Sequence, residues 1–123
     1  MNMAHGMGSR LIKAAKEKNM GVLCMKSMIE CAWGDADGAA RQKYPKSWCK
    51  PIDADEEPAL LIAAVKYAHS LGVDTIIPPG NFMHFKFAVD NIEKILTEPL
   101  SEQERALLAE RLALVKDRPF FDV

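Results

Sequence analysis

The sequence predicts an α/β protein with two parallel strands and about four helices. The short apolar run Gly21-Val22-Leu23-Cys24-Met25, which does not alternate, reads as a strand covered on both faces, and Asp74-Thr75-Ile76-Ile77 reads as another short strand. Between them lies a segment of helical periodicity, and strands joined through a helix pair in parallel by a crossover. Further helical segments precede the first run and follow the second.

The elements follow in order. Ser9 is placed to cap a helix that carries Leu11, Ile12 and Ala15 and runs on to Asn19, with Lys13, Lys16, Glu17 and Lys18 on its wet side. From Lys26 to Ile52 the pattern dissolves into Gly34, Gly38, Pro45 and Pro51, with Trp33, Tyr44 and Trp48 among them. A loop of that length lids or lines something, or its aromatics tack it onto the body. A second helix starts near Asp53 or Asp55, tolerates Pro58 close to its start, carries Leu60, Leu61, Ala64, Val65 and Ala68 as its apolar stripe, and ends at Leu71-Gly72. A third covers Phe82 to Leu96, with Phe85, Ala88, Val89, Ile92 and Ile95 buried. The fourth begins at Ser101, which forms a capping box with Glu104, and repeats Leu107, Leu108, Arg111, Leu112 and Val115.

Two parallel strands cannot hide their edges or make a stable sheet alone. The remaining strands are therefore expected from a preceding segment, from another copy of the chain, or from part of the 26–52 stretch.

Composition excludes several classes. Sixteen basic against seventeen acidic residues leave a net charge of -1, so no overall field draws the chain to nucleic acid or an anionic membrane. No run is long enough to span a bilayer, and the first residues lack the parts of a signal peptide, so a cytoplasmic setting is expected. Cys24, Cys31 and Cys49 match neither a redox CxxC pair nor a zinc site. Cys24 reads as a buried thiol, while Cys49 has Lys46 and Lys50 as cationic neighbours. Asp35-Ala36-Asp37-Gly38 lacks the later ligands of a calcium loop. His5, His69 and His84 fall on different elements; His69 suits a helix C-terminus, and His84 is within reach of the turn at Gly80.

That turn is the sharpest local feature. Pro79-Gly80-Asn81 joins a strand's carboxyl end to a helix's amino end, a place that favours an anion or simply makes a tight turn. Lys26 ends the first strand at the same sheet face. No nucleophile elbow, P-loop or dinucleotide glycine motif is present, and no catalytic set is legible.

Several segments resemble the C-terminal portion of the aldo/keto reductase superfamily: LIKAAKEKNMGV, GVLCMKSM, RQKYPKSWC, GVDTIIPPG, VDNIEKIL and PLSEQERALL, in that order and spacing from about Ser9 to Phe121. The resemblance implies that residues 1–123 form the C-terminal part of a (β/α)8 TIM barrel, with the seventh and eighth strand units and the C-terminal helix. It implies reduction of aldehydes or ketones with NADPH or NADH, together with the remainder of the barrel. The family's catalytic residues belong to strands upstream of these, so the segment alone is expected to supply cofactor-binding elements without catalysis, and the cofactor need not bind to it in isolation.

Carried over residue by residue, Met25-Lys26-Ser27-Met28 stands where the family has Tyr-Ser-Pro-Leu, so Met25 would pack on the nicotinamide ring and Lys26 would meet the pyrophosphate. Gly80 and Asn81 would approach the 2'-phosphate region. Asn91, in Asp90-Asn91, resembles an adenine-contacting asparagine, one residue out of register. The family's arginine before that pair is absent and Lys86 is its substitute, which leaves NADP against NAD open. The alternative is a non-catalytic module whose copies pair through their sheet edges.

Overall fold

A computed structural model describes residues 7–119; His5 and the apolar tail from Phe120 lie outside the described residues. The chain is α/β, with six helices, a two-stranded parallel sheet and a small two-stranded antiparallel sheet. The elements are α1 (Met7–Glu17), β1 (Leu23–Met25), β2 (Ile29–Cys31), α2 (Gly38–Lys43), β3 (Lys50–Pro51), α3 (Pro58–Ser70), β4 (Thr75–Ile77), α4 (Phe82–Asp90), α5 (Ile92–Thr97) and α6 (Glu102–Val115), with one 3-10 turn at Asp35–Asp37. No closed barrel forms among the described residues.

The core is built around α3. Leu60, Leu61, Ala63, Ala64 and Val65 are all buried, so this helix is covered on nearly every side and not along one stripe. Met28 and Ile52 cover it from the loop, Ile95 from α5 and Leu108 from α6, while Ile76 of β4 packs at the margin. Pro58 opens the helix, where its missing N–H costs nothing. Gly72, at φ 88°, closes it in the left-handed conformation, with its N–H donating to His69 O at 2.9 Å.

The sequence places the start of this helix about one turn too early. The Asp53 carboxylate instead accepts the N–H groups of Asp55 and Glu56, making a turn that precedes Pro58. Ser9, likewise, lies inside α1 and not at its cap, because α1 already begins at Met7. The other end of α1 is a Schellman closure: Asn19 is left-handed at φ 53°, its N–H reaches Lys16 O and that of Met20 reaches Ala15 O.

Strands β1 and β4 pair in parallel, Leu23 opposite Thr75 and Met25 opposite Ile77. Double coverage of these strands is not observed. Leu23 and Met25 are each 65% exposed and Ile77 is 40% exposed, because the side chains of one sheet face meet no second layer among the described residues. Asp74 fastens α1 to the sheet, accepting from Lys16 Nζ at 2.6 Å and from the Val22 N–H at 2.7 Å.

The 26–52 stretch is ordered by its own small sheet, in which β2 and β3 run antiparallel with an irregular register at Ile29 and Cys31. Tyr44 tacks it to α4, while Trp33 braces it from within. Tyr44 is buried against the His84 ring, and Trp33 Nε1 donates to Ser47 O at 2.9 Å. Trp48 does neither; it stands 91% exposed.

Charge then ties this stretch to the helices. Glu30, buried on β2, meets Arg111 of α6 at 2.8 Å and Lys50 of β3 at 3.0 Å; Arg111 also holds Glu57 before α3. Asp37 pairs with Lys50 and with Arg118. Elsewhere Lys66, 3% exposed on α3, reaches Glu98 and Glu104 at 3.0 Å each. Burial alone would push the Lys66 ammonium down, but the two carboxylates outweigh it and hold the group charged. Glu104 also closes the capping box, accepting from the Ser101 N–H at 2.8 Å while Ser101 Oγ accepts its own N–H at 3.1 Å.

The expected third helix is two. Asn91 leaves the helical conformation at φ −110° and ψ 10° and ends α4, its N–H and its Nδ2 both donating to Phe87 O, at 3.1 and 2.9 Å. The inward face accordingly changes: His84 and Ile95 are buried, whereas Phe85, Val89 and Ile92 are half exposed.

Two outcomes are expected. Leu108→Ala opens a cavity between α3 and α6 and lowers unfolding free energy by about 2–5 kcal/mol in urea titration. For Asp53, burial pushes the carboxyl up, but hydrogen bonds from Lys43 and from the Glu56 and Asp55 N–H groups prevail and hold it at about 2 against an ordinary 3.8. A lowered folded-state pKa gives stability that is complete above the unfolded value and lost as pH falls through the folded one. The urea midpoint should therefore fall more steeply between about pH 4 and pH 2 than that of Asp53→Asn.

Candidate functional site

Parallel pairing puts the carboxyl ends of β1 and β4 side by side, and a cavity of about 310 Å3 opens there. Met25 and Lys26 enter it from β1, Ile77, Pro78, Pro79 and Gly80 from β4 and its turn, and Lys46, Ser47, Trp48 and Cys49 from the stretch before β3. Two lysines and an exposed indole thus rim an open space.

Lys26 has the strained backbone among these residues. Its φ of 65° is left-handed, a conformation that costs a residue with a Cβ roughly 1–2 kcal/mol. The reversal is closed by the Ile29 N–H donating to Lys26 O at 3.2 Å, and it turns the chain from β1 into β2. The side chain returns across the cavity, where Nζ donates to Cys49 Sγ at 3.2 Å.

Opposite, Asn81 precedes α4. Its side chain does not cap that helix; Nδ2 donates to Ser47 Oγ at 2.7 Å and pins the loop against the turn. Gly80 faces Lys46, whose Cβ and carbonyl oxygen would lie 3.9 Å from an added Cβ. That is ordinary contact, so the close approach of chain to chain there is loose enough for a methyl group.

Of the sequence-derived positions, Met25, Lys26 and Gly80 come together at the cavity, with Asn81 beside them through Ser47. Ser27 is buried beneath the turn, and its hydroxyl has no hydrogen-bond partner among the described residues. Lys86 pairs with Asp90 along α4, and Asn91 serves the α4 terminus; neither lines the cavity. His84 turns away from Gly80 into the core, where its Nε2–H donates to Ile52 O at 2.8 Å. Burial pushes its imidazole below the ordinary histidine range, so it is neutral at neutral pH.

Sequence reasoning did not single out Lys46, Ser47 or Trp48 as site residues. They lie far from Lys26 along the chain, and only the β2–β3 pairing returns them to it. Lys46 and Lys50 neighbour Cys49 in sequence, yet the group that meets its sulfur is the Lys26 ammonium. Cys24, expected to be buried, is half-buried on the thinly covered strand.

Comparisons with protein-family models, with curated proteins and with solved structures find no match. Among the described residues no helix is long and apolar enough to cross a membrane.

The left-handed turn gives a direct expectation. Lys26→Gly should unfold at a urea midpoint equal to or above the parent, since glycine relieves the φ penalty, whereas Lys26→Val should lose about 1–3 kcal/mol.

Proposed function

We propose that the chain is the C-terminal part of an aldo/keto reductase-like barrel, contributing cofactor-binding elements to the NADPH- or NADH-dependent reduction of aldehydes or ketones. One observation carries the reading. The parallel β1–β4 pair brings Lys26 and Gly80, distant in sequence, to one cavity at the strands' carboxyl ends, the end at which barrel enzymes build their sites. The open face formed by Leu23, Met25 and Ile77 suits a sheet that continues into further strands. So does the apolar groove of about 340 Å3 beside β4, where Phe85, Val89, Ile92 and Leu96 await cover.

The residues present fit a nicotinamide dinucleotide in part. Lys26 and Lys46 supply positive charge for its phosphates, and exposed Met25 supplies an apolar surface for a flat ring. Bound, the cofactor would supply the hydride. These residues would hold it and screen its charge, while Asn81 keeps the loop in place through Ser47. Polarising a carbonyl oxygen needs a donor from elsewhere in the barrel.

The competing reading is an assembly module whose copies pair at the free edges of β1 and β4. Titration of NADPH and NADH into the chain, alone and together with a six-unit aldo/keto reductase segment supplying the other strands, separates the two. Saturable binding only in the mixture, weakened roughly tenfold (about 1.4 kcal/mol) by Lys26→Ala, is the expected result. Self-association in sedimentation, without cofactor binding in either setting, would favour the assembly module instead.

A further inference from the structure

We propose that Lys26 and Cys49 are a redox modification site, at which hydrogen peroxide joins the two side chains through a nitrogen–oxygen–sulfur bridge. The inference stands apart from the cofactor reading, because it needs only the two side chains and an oxidant that reaches them.

Three observations carry it. Lys26 Nζ lies 3.2 Å from Cys49 Sγ, with the nitrogen already directed at the sulfur. One bridging oxygen spans nearly that gap, whereas a direct sulfur–nitrogen bond would require the atoms to close to about half of it. Both residues line the open cavity of about 310 Å3, so a small neutral peroxide can enter from solvent. Backbone geometry holds the pair in place: Lys26 sits in a left-handed turn, and the loop carrying Cys49 is fixed through Trp33 and Asn81, which bond Ser47.

The other thiols are poor competitors. Cys31 is sealed in the core, and burial pushes its thiol up, as it does that of Cys24. Neither has a lysine nitrogen among the hydrogen-bond partners of its sulfur.

The chemistry balances with two molecules of hydrogen peroxide. The first oxidises the Cys49 thiol to the sulfenic acid, forming the sulfur–oxygen bond and releasing water. The second oxidises the Lys26 amine, formed from the ammonium by loss of a proton to solvent, to the hydroxylamine, again releasing water. Condensation of the hydroxylamine with the sulfenic acid expels a third water and leaves nitrogen, oxygen and sulfur in one chain. Two molecules of dithiothreitol reverse it, becoming disulfides and regenerating amine, thiol and water. The bridge would tie the end of β1 to the loop before β3 and remove the Lys26 charge from the cavity.

Peroxide treatment of the full chain, followed by intact-mass measurement and peptide mapping under non-reducing conditions, tests this. The expected product gains one oxygen and loses two hydrogens, about 14 Da, with peptides containing Lys26 and Cys49 linked and released by dithiothreitol. Cys49→Ser and, separately, Lys26→Arg should each abolish the linked peptide, and circular dichroism shows whether each variant keeps its fold. In Lys26→Arg, Cys49 should still take up oxygen, as its sulfenic or sulfinic acid. Whole-oxygen gains at Cys49 in the parent chain without linkage, a loss of two hydrogens, or an unmodified Cys49 would each overturn the proposal.

Discussion

Burial of α3 is the constraint on which the rest of the structure depends. A helix whose consecutive residues Leu60 to Val65 all leave solvent has no wet face to offer, so neighbours must close around it on every side. Leu108 of α6, Ile95 of α5 and the pair Met28 and Ile52 do so. The arrangement also explains why the segment between the strands is ordered, since Met28 and Ile52 sit at its two ends and are both pulled into the same core. Lys66 is the exception that the core accommodates, because Glu98 and Glu104 approach it from either side and replace the water it loses.

Around that core, paired charges set the orientation of the outer elements. Glu30 is shared by Lys50 and Arg111, and Asp37 by Lys50 and Arg118, so β2, β3, the 3-10 turn and α6 are joined by one network. Removing Arg111 or Lys50 leaves the buried Glu30 carboxylate with one counter-ion in place of two, in a position where water cannot make up the loss. Such a network gives the antiparallel sheet, only three and two residues in its strands, a support that its few backbone hydrogen bonds cannot supply.

The parallel pair is supported unevenly. Its inner side meets the core through Ile76, while Leu23, Met25 and Ile77 look outward. The cavity at its carboxyl end is shaped by the returning loop as much as by the strands, because Asn81 and Ser47 hold the two sides together. A site so built combines a rigid floor with one wall of loop, and Lys26 spans from one to the other.

The parallel pairing, the capping box at Ser101, the glycine closure after α3, and the neighbourhood of Met25, Lys26 and Gly80 are legible in the residues alone. Each follows from local spacing or turn chemistry that a short window contains. The division of a helix at Asn91, the turn of His84 to Ile52, the ion pairs of buried Lys66 and the part-buried ones of Arg111 appear only in the assembled fold. The meeting of Cys49 with Lys26, and the side of the parallel sheet left open among the described residues, emerge at the same level. Those outcomes depend on contacts between residues far apart in the chain, whose energies come from burial and desolvation in the assembled fold and leave no periodic trace along it.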